Sequence, residues 1–160
     1  MTRLQGPIRS LLGSLSLFWA FGAVLPMVLA GEARAQVSML DVSKRTFSAV
    51  AHEEEKGNQV LFMQINSVAK ETVNFQTYHL DGGSTYKIYA IGDDNRILDI
   101  DLEVLDEDGN RIGVDDDDQN VAIVRFNNPR SQKVTFRAWP SKLVKGVNDG
   151  FFGLVVLRLR

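Results

Sequence analysis

The 160-residue chain contains no cysteine. That excludes a disulfide, a thiolate nucleophile and a lipid-modified N-terminal cysteine. Histidine is nearly as scarce: His52 and His79 are the only two, and they fall on different expected elements. Ser84 and Ser131 lack a nucleophile elbow or a neighbouring base, so serine chemistry has no support either. Carboxylates are plentiful, but they cluster on turns, where nothing would raise the pKa of one acid above its partner's, as a glycosidase requires. The chain also lacks an internal repeat and a linker that would mark a second domain. These absences together point away from an enzyme.

The first thirty-five residues read as an export leader. Arg3 and Arg9 precede the apolar stretch Leu11 to Ala30, and Ala33-Arg34-Ala35 supplies a small-x-small cleavage pattern. Cleavage after Ala35 leaves 125 residues beginning at Gln36, enough for one domain with one core. The rival reading is an uncleaved anchor, since twenty apolar residues can span a bilayer; Gly13, Gly22 and Pro26 count against it. An export signal on a chain without disulfides indicates a bacterial protein, periplasmic or secreted, with membrane contact only if the leader is retained.

From Gln36 onward there are 15 Lys and Arg against 19 Asp and Glu, and the charges are segregated. Residues 93 to 118 hold twelve acids and only Arg96 and Arg111, whereas residues 119 to 160 hold eight bases and only Asp149. That division does not make a continuous basic face, so nucleic acid is not an expected partner.

The pattern of side chains predicts a short helix and then strands. Residues 41 to 57 suit a helix capped by Ser43 and stopped at Gly57, with Phe47, Val50 and Ala51 on one face. His52 with Glu53, Glu54 and Glu55 forms its wet face. A metal reading of that group is weak, because it has one imidazole and no known motif. Residues 60 to 65 are an apolar run too short to assign. From Val73 the period becomes two. The segment 73–80, the turn Asp81-Gly82-Gly83 and the segment 84–91 give a hairpin signal. Leu98, Ile100, Leu102 and Val104 then alternate with Asp99, Asp101 and Glu103. A turn at Asp108-Gly109 comes next, and Ile112 and Val114 continue the apolar phase. Three further strands are expected: 121–126, then 133–139 with Val134, Phe136 and Ala138 inward, and the closing segment 150–160. Six or so short strands between Gly, Asn and Asp turns predict an all-β sandwich or barrel.

A series of spaced residues carries a resemblance. Leu80-x-x-Gly83-x-x-Tyr86 is followed by Asp99-x-x-Leu102-x-Val104-x-Asp106-x-x-Gly109, then Ile112, Asp115-Asp116-Asp117, and Gly150-x-Phe152-x-Leu154-x-Val156. Over residues 73–160 this order resembles the bacterial pre-peptidase C-terminal domain. It implies a jelly-roll-like antiparallel β-sandwich of the kind attached to many exported proteins; residues 36–72, an N-terminal helix and lead-in, are not explained by the resemblance. Lys133, Val134 and Phe152 depart from the family pattern but keep an apolar inward residue at each strand. Members of the family usually ride on a larger protein, often a peptidase.

Two kinds of binding residue stand out. Calcium takes six to eight oxygens, and Asp99, Asp101, Asp106, Asp108 and Asp115 to Asp118 offer carboxylates enough. A hairpin cannot gather all eight, so the candidate groups are Asp99 and Asp101 with the aspartate run, or the turn by itself. A solvated acidic face that keeps the sandwich soluble is the competing reading. Trp139 and Tyr89, both on the outward phase, are candidates for stacking on a sugar or a partner. The function expected is therefore a non-enzymatic binding or accessory module with protein or cell-envelope partners. The alternative is a carbohydrate-binding module.

Overall fold

The computed structural model describes the backbone of residues 18–160 and the side chains of residues 35–160. The expected leader falls almost wholly outside the described side chains. Met1–Arg34 and Ala35–Arg160 form separate compact units, and every strand belongs to the second.

Helix α1 (Phe18–Glu55) ends where expected, at Gly57. Gly57 has φ +82°, its N–H donates to Glu54 O, and the Asn58 N–H donates to Glu53 O. This paired closure satisfies the last carbonyls of the helix, and a left-handed glycine adopts it without strain. The helix start is not at Ser43. The helix runs through that residue, whose hydroxyl donates instead to Met39 O at 2.6 Å. The buried face also differs from the expected one. Ser38, Val42, Thr46 and Glu53 are buried, while Phe47 is 56% exposed and Ala51 is exposed. A stripe of small or hydrogen-bonded residues faces the sheet because the helix lies close against it, over Gly153.

Eight strands succeed the helix: β1 (Gln59–Ala69), β2 (Asn74–Leu80), β3 (Ser84–Gly92), β4 (Ile97–Leu105), β5 (Arg111–Asp115), β6 (Val121–Asn128), β7 (Gln132–Leu143) and β8 (Asp149–Arg158). They form two antiparallel four-stranded sheets, ordered β1-β8-β3-β6 and β2-β7-β4-β5. That is jelly-roll order. The lead-in segment thus contributes β1, which contains the short apolar run 60–65, as an edge strand of the first sheet.

The two sheets close over a core that includes Tyr86, Ile88, Ile100, Leu102, Val104, Phe136, Phe152 and Leu154. Leu102 and Val104 are fully buried and Phe136 almost so, as the period of two requires. A second apolar layer, with Tyr89, Ile91, Val155 and Leu157, lies on the far side of the first sheet against Ala49 and Val50 of α1.

Three details of the strands differ from the sequence expectation. The segments around Asp81-Gly82-Gly83 are not a hairpin. β2 pairs with β7, and β3 pairs with β6 and β8, so this turn carries the chain from one sheet to the other. Asn128 Nδ2 donates to Leu80 O and Asp81 O, and the Tyr86 hydroxyl donates to Asp81 O, which pins the crossing. Irregular pairing between Ile97 and Ile100 shifts the phase of β4. Ile97 enters the core and Leu98 is left 45% exposed. A second irregularity opposite Val104 and Leu105 turns Gly113 toward Val124 and leaves Val114 41% exposed, while Ile112 still packs on the core.

Candidate functional site

The outer faces of the two sheets are unlike. α1 covers the first sheet over Tyr89, Val155 and Leu157 and leaves Ile123 of β6 42% exposed, whereas the second sheet keeps Phe75 58% and Val114 41% exposed. The ladder sets side chains across this open face in rows. Phe75 of β2 is opposite Arg137 of β7, Arg137 is opposite Glu103 of β4, and Glu103 is opposite Val114 of β5. The Arg137 guanidinium lies 5.4 Å from the centre of the Phe75 ring and donates to Glu103 Oε2 at 2.6 Å. Arg111 Nε reaches Glu103 Oε1 at 3.3 Å. One carboxylate thus holds two arginines in place, and one of them shields part of an otherwise bare ring. Phe75 remains 58% exposed.

In the next row Trp139 is opposite Asp101, and the aspartate run begins at Asp115, the partner of Leu102. Gln119 O accepts the Ile100 N–H, so the chain returns to β4 after residues 115–118 have looped out beside it.

The structure divides the eight candidate calcium ligands into two groups. Asp106 caps the β4–β5 turn: its Oδ1 accepts the Asp108 and Asn110 N–H groups at 3.0 and 2.8 Å, and its Oδ2 accepts Asn110 Nδ2. The Asn110 side chain first, with those backbone donors, holds the Asp106 carboxyl below the usual range. Asp108 pairs with Arg130 at 3.1 Å. The turn acids are therefore satisfied by the protein itself.

At the other group, Asp99 and Asp101 are only 7% and 9% exposed. Burial pushes the Asp101 carboxyl up, and the charges of Asp99 and Asp116 push it further, against the effect of the Ser141 and Trp139 side chains. Asp115 Oδ2 accepts the Ile123 N–H at 2.6 Å and Asp117 Oδ2 accepts Gln119 Nε2 at 2.9 Å, while Asp116 and Asp118 are exposed. Among the described residues none of Asp99, Asp101 and Asp115 to Asp118 forms an ion pair. No three His, Asp or Glu side chains among them stand as a ready-made metal cage.

The two candidate aromatics separate. Trp139 is half-buried on the open face, but Tyr89 is 9% exposed beneath α1 and is no surface ring. Its hydroxyl donates to Glu53 Oε1 at 2.8 Å. Glu53 also accepts from Lys87 Nζ at 3.1 Å, Lys56 Nζ at 3.2 Å and Asn58 Nδ2 at 2.7 Å. Its burial works against the charge, but these four donors outweigh that cost and hold the carboxyl at about 2. Glu53 is thus not on the wet face with His52, Glu54 and Glu55; it is 2% exposed. Sequence reading missed this anchor because its partners on β3 lie some thirty-five residues away. The signal that could have shown it is the outward phase of Lys87 and Tyr89 on one strand, which requires a covering element with an acceptor.

Neither of the two histidines is part of a cleft suited to catalysis. A cleft of about 580 Å³ at the end of α1 is lined by Glu54, Gly57, Asn58, Gln59, Val60 and Arg158 to Arg160. Arg158 there is already held by Gln59 and Asp81. His52 and His79 are both exposed and on different elements.

No protein-family model matches the chain. No curated protein matches it either. Among solved structures it is similar to PliG of Aeromonas hydrophila, a periplasmic lysozyme inhibitor of g-type lysozyme. The two are 16% identical with a TM-score of 0.48, over 65% of this chain and 90% of that one.

Proposed function

We propose that this protein is an exported, non-enzymatic β-sandwich that docks a basic protein surface on the outer face of its second sheet. The observation that carries the reading is the inequality of the two faces. One is covered by α1 over Tyr89, Val155 and Leu157; the other presents Phe75, Arg137, Glu103 and Val114 in a ladder row, with half-buried Trp139 in the row beside it. A partly exposed aromatic with a positioned arginine is the composition of an interface centre. The aspartates at 115–118, none of them in an ion pair among the described residues, make one end of that face negative and select a partner rich in Lys or Arg. Export rests on the leader pattern of residues 1–35.

The carbohydrate reading loses one of its two rings with the burial of Tyr89, and Trp139 alone makes a poor sugar platform.

Carbodiimide cross-linking tests the proposal, because it joins exposed carboxylates directly to lysines on a bound partner. A product formed in an envelope extract should weaken with salt and disappear in Phe75→Asp and in the triple variant Asp116→Asn, Asp117→Asn, Asp118→Asn. A product unaffected by both variants would refute docking on this face. Retention on immobilised glycan that depends on Trp139 would replace the proposal with the carbohydrate reading.

A further inference from the structure

β4 buries two like charges one dipeptide apart. Asp99 and Asp101 both point to the outer side of the second sheet, both are more than nine-tenths buried, and neither has an arginine or lysine paired to it among the described residues. Lys142 is opposite Asp99 in the ladder but its side chain is exposed and makes no ion pair there. Asp99 Oδ1 is sealed from solvent and has no hydrogen-bond partner. An unpaired carboxylate oxygen in such a place is costly, and a second carboxylate beside it raises that cost. A cation between the two removes both penalties together.

We propose that Asp99 and Asp101 hold a hard divalent cation, calcium by its preference for oxygen, with Asp116 closing on it from the acidic loop. The chemistry of the donors agrees: carboxylates from β4, the Ser141 hydroxyl beside Asp101, and water for the rest, in the flexible coordination that calcium accepts and magnesium resists. The β4–β5 turn is excluded from the site, because Asp106 and Asp108 are already engaged by Asn110 and Arg130. A small ion with its water suits residues only 7% and 9% exposed better than the long side chain of a partner's lysine or arginine. Asp116 follows the last ladder residue, Asp115, and its charge already acts on Asp101, so it would reach the ion by movement of its loop alone. The site shares Asp116 with the docking face, so the two are told apart by residues belonging to one alone: Asp99 bears on the ion and Phe75 on docking.

Terbium is the probe, because Trp139 lies beside Asp101 and sensitises emission from an ion bound there. Titration of the purified protein should give saturable emission at one ion per chain, displaced by calcium, and Trp139→Phe should remove it. Calcium at millimolar concentration should raise the Tm by several degrees, by binding the native state alone. Asp99→Asn should weaken binding by about tenfold or more, as loss of a charged ligand does. Asp116→Asn, on an exposed loop where the fold is not at risk, should weaken it measurably. The pair Asp106→Asn and Asp108→Asn should leave it unchanged. Emission that does not saturate, or that is equal in all these variants, would mean an adventitious ion only and would overturn the proposal. An Asp99-dependent rise in Tm produced by a lysine peptide but not by calcium would overturn it as well, in favour of a side-chain cation.

Discussion

Thr46 of α1 fills the space above Gly153 of β8, so that any Cβ at position 153 would overlap the threonine side chain. Gly153 is buried in the middle of a strand, where glycine is otherwise a poor choice. Its value is the close approach of the helix. Gly153→Ala should cost about 1–3 kcal/mol by overpacking, and Gly153→Val more. Thr46→Ala in the same chain should recover part of that loss, because it removes the hydroxyl and methyl but leaves the Cβ. Urea denaturation of the single and double variants measures the coupling.

A second prediction concerns Glu53. Its folded carboxyl, at about 2, lies below the ordinary value of 4.5. A depressed carboxyl contributes stability that is present above pH 4.5 and is lost as the pH falls from 4.5 toward 2. With a side chain only 2% exposed, the contribution is on the order of 3 kcal/mol. Glu53→Gln should lower stability at pH 7 by about 2–3 kcal/mol and flatten the profile below pH 4.5. Urea midpoints taken at intervals from about pH 7 to about pH 3 give both results.

The two arginines on Glu103 should contribute unequally. Arg137 is 34% exposed and its contact is 2.6 Å, while Arg111 is 59% exposed at 3.3 Å. Double-mutant cycles with Glu103→Gln should give a coupling of about 1 kcal/mol for Arg137→Met and under about 0.5 kcal/mol for Arg111→Met, as solvent screening requires. Equal couplings would show that the shorter contact is not the stronger one.

Phe75→Ala should separate binding from folding. More than half of the ring is already in water, so its loss should change stability by less than about 1 kcal/mol. The carbodiimide product with the partner should nevertheless fall away. A large drop in Tm with binding intact would be the opposite of what an exposed anchor predicts.

Much of the sandwich could be read from the period of two. β6 and β7 follow it closely, since each alternates between a dry core and a wetter face, and Phe136 and Leu102 are where that pattern puts them. The turn at Asp81-Gly82-Gly83 misled because a glycine pair suits a tight hairpin and a crossing between sheets equally; only the pairing of β2 with β7 distinguishes them. Leu98 and Val114 failed for a different reason, since an irregular residue reverses the phase without any sign in the alternation. The helix phase was hidden because its sheet-facing stripe is built from Ser38, Val42, Thr46 and Glu53, while Val37, Leu40 and Phe47 face outward. Of the site, the acids on β4 were legible and their separation from the turn acids partly so. The burial of Tyr89 was not, because the residue that covers it is 36 positions earlier.

The strand order has a consequence for how the chain acquires its shape. β8 lies between β1 and β3, and β7 lies between β2 and β4. As synthesis proceeds from the N-terminus, β1 and β2 have no neighbours in their sheets until the last thirty or so residues arrive. Neither half can close early, and Gln59 waits for Arg158. Such distant pairings fold on the scale of about milliseconds to seconds rather than microseconds. The nascent protein therefore passes through an interval with unpaired, sticky ribbons, and traffic across a membrane in the open state is compatible with it.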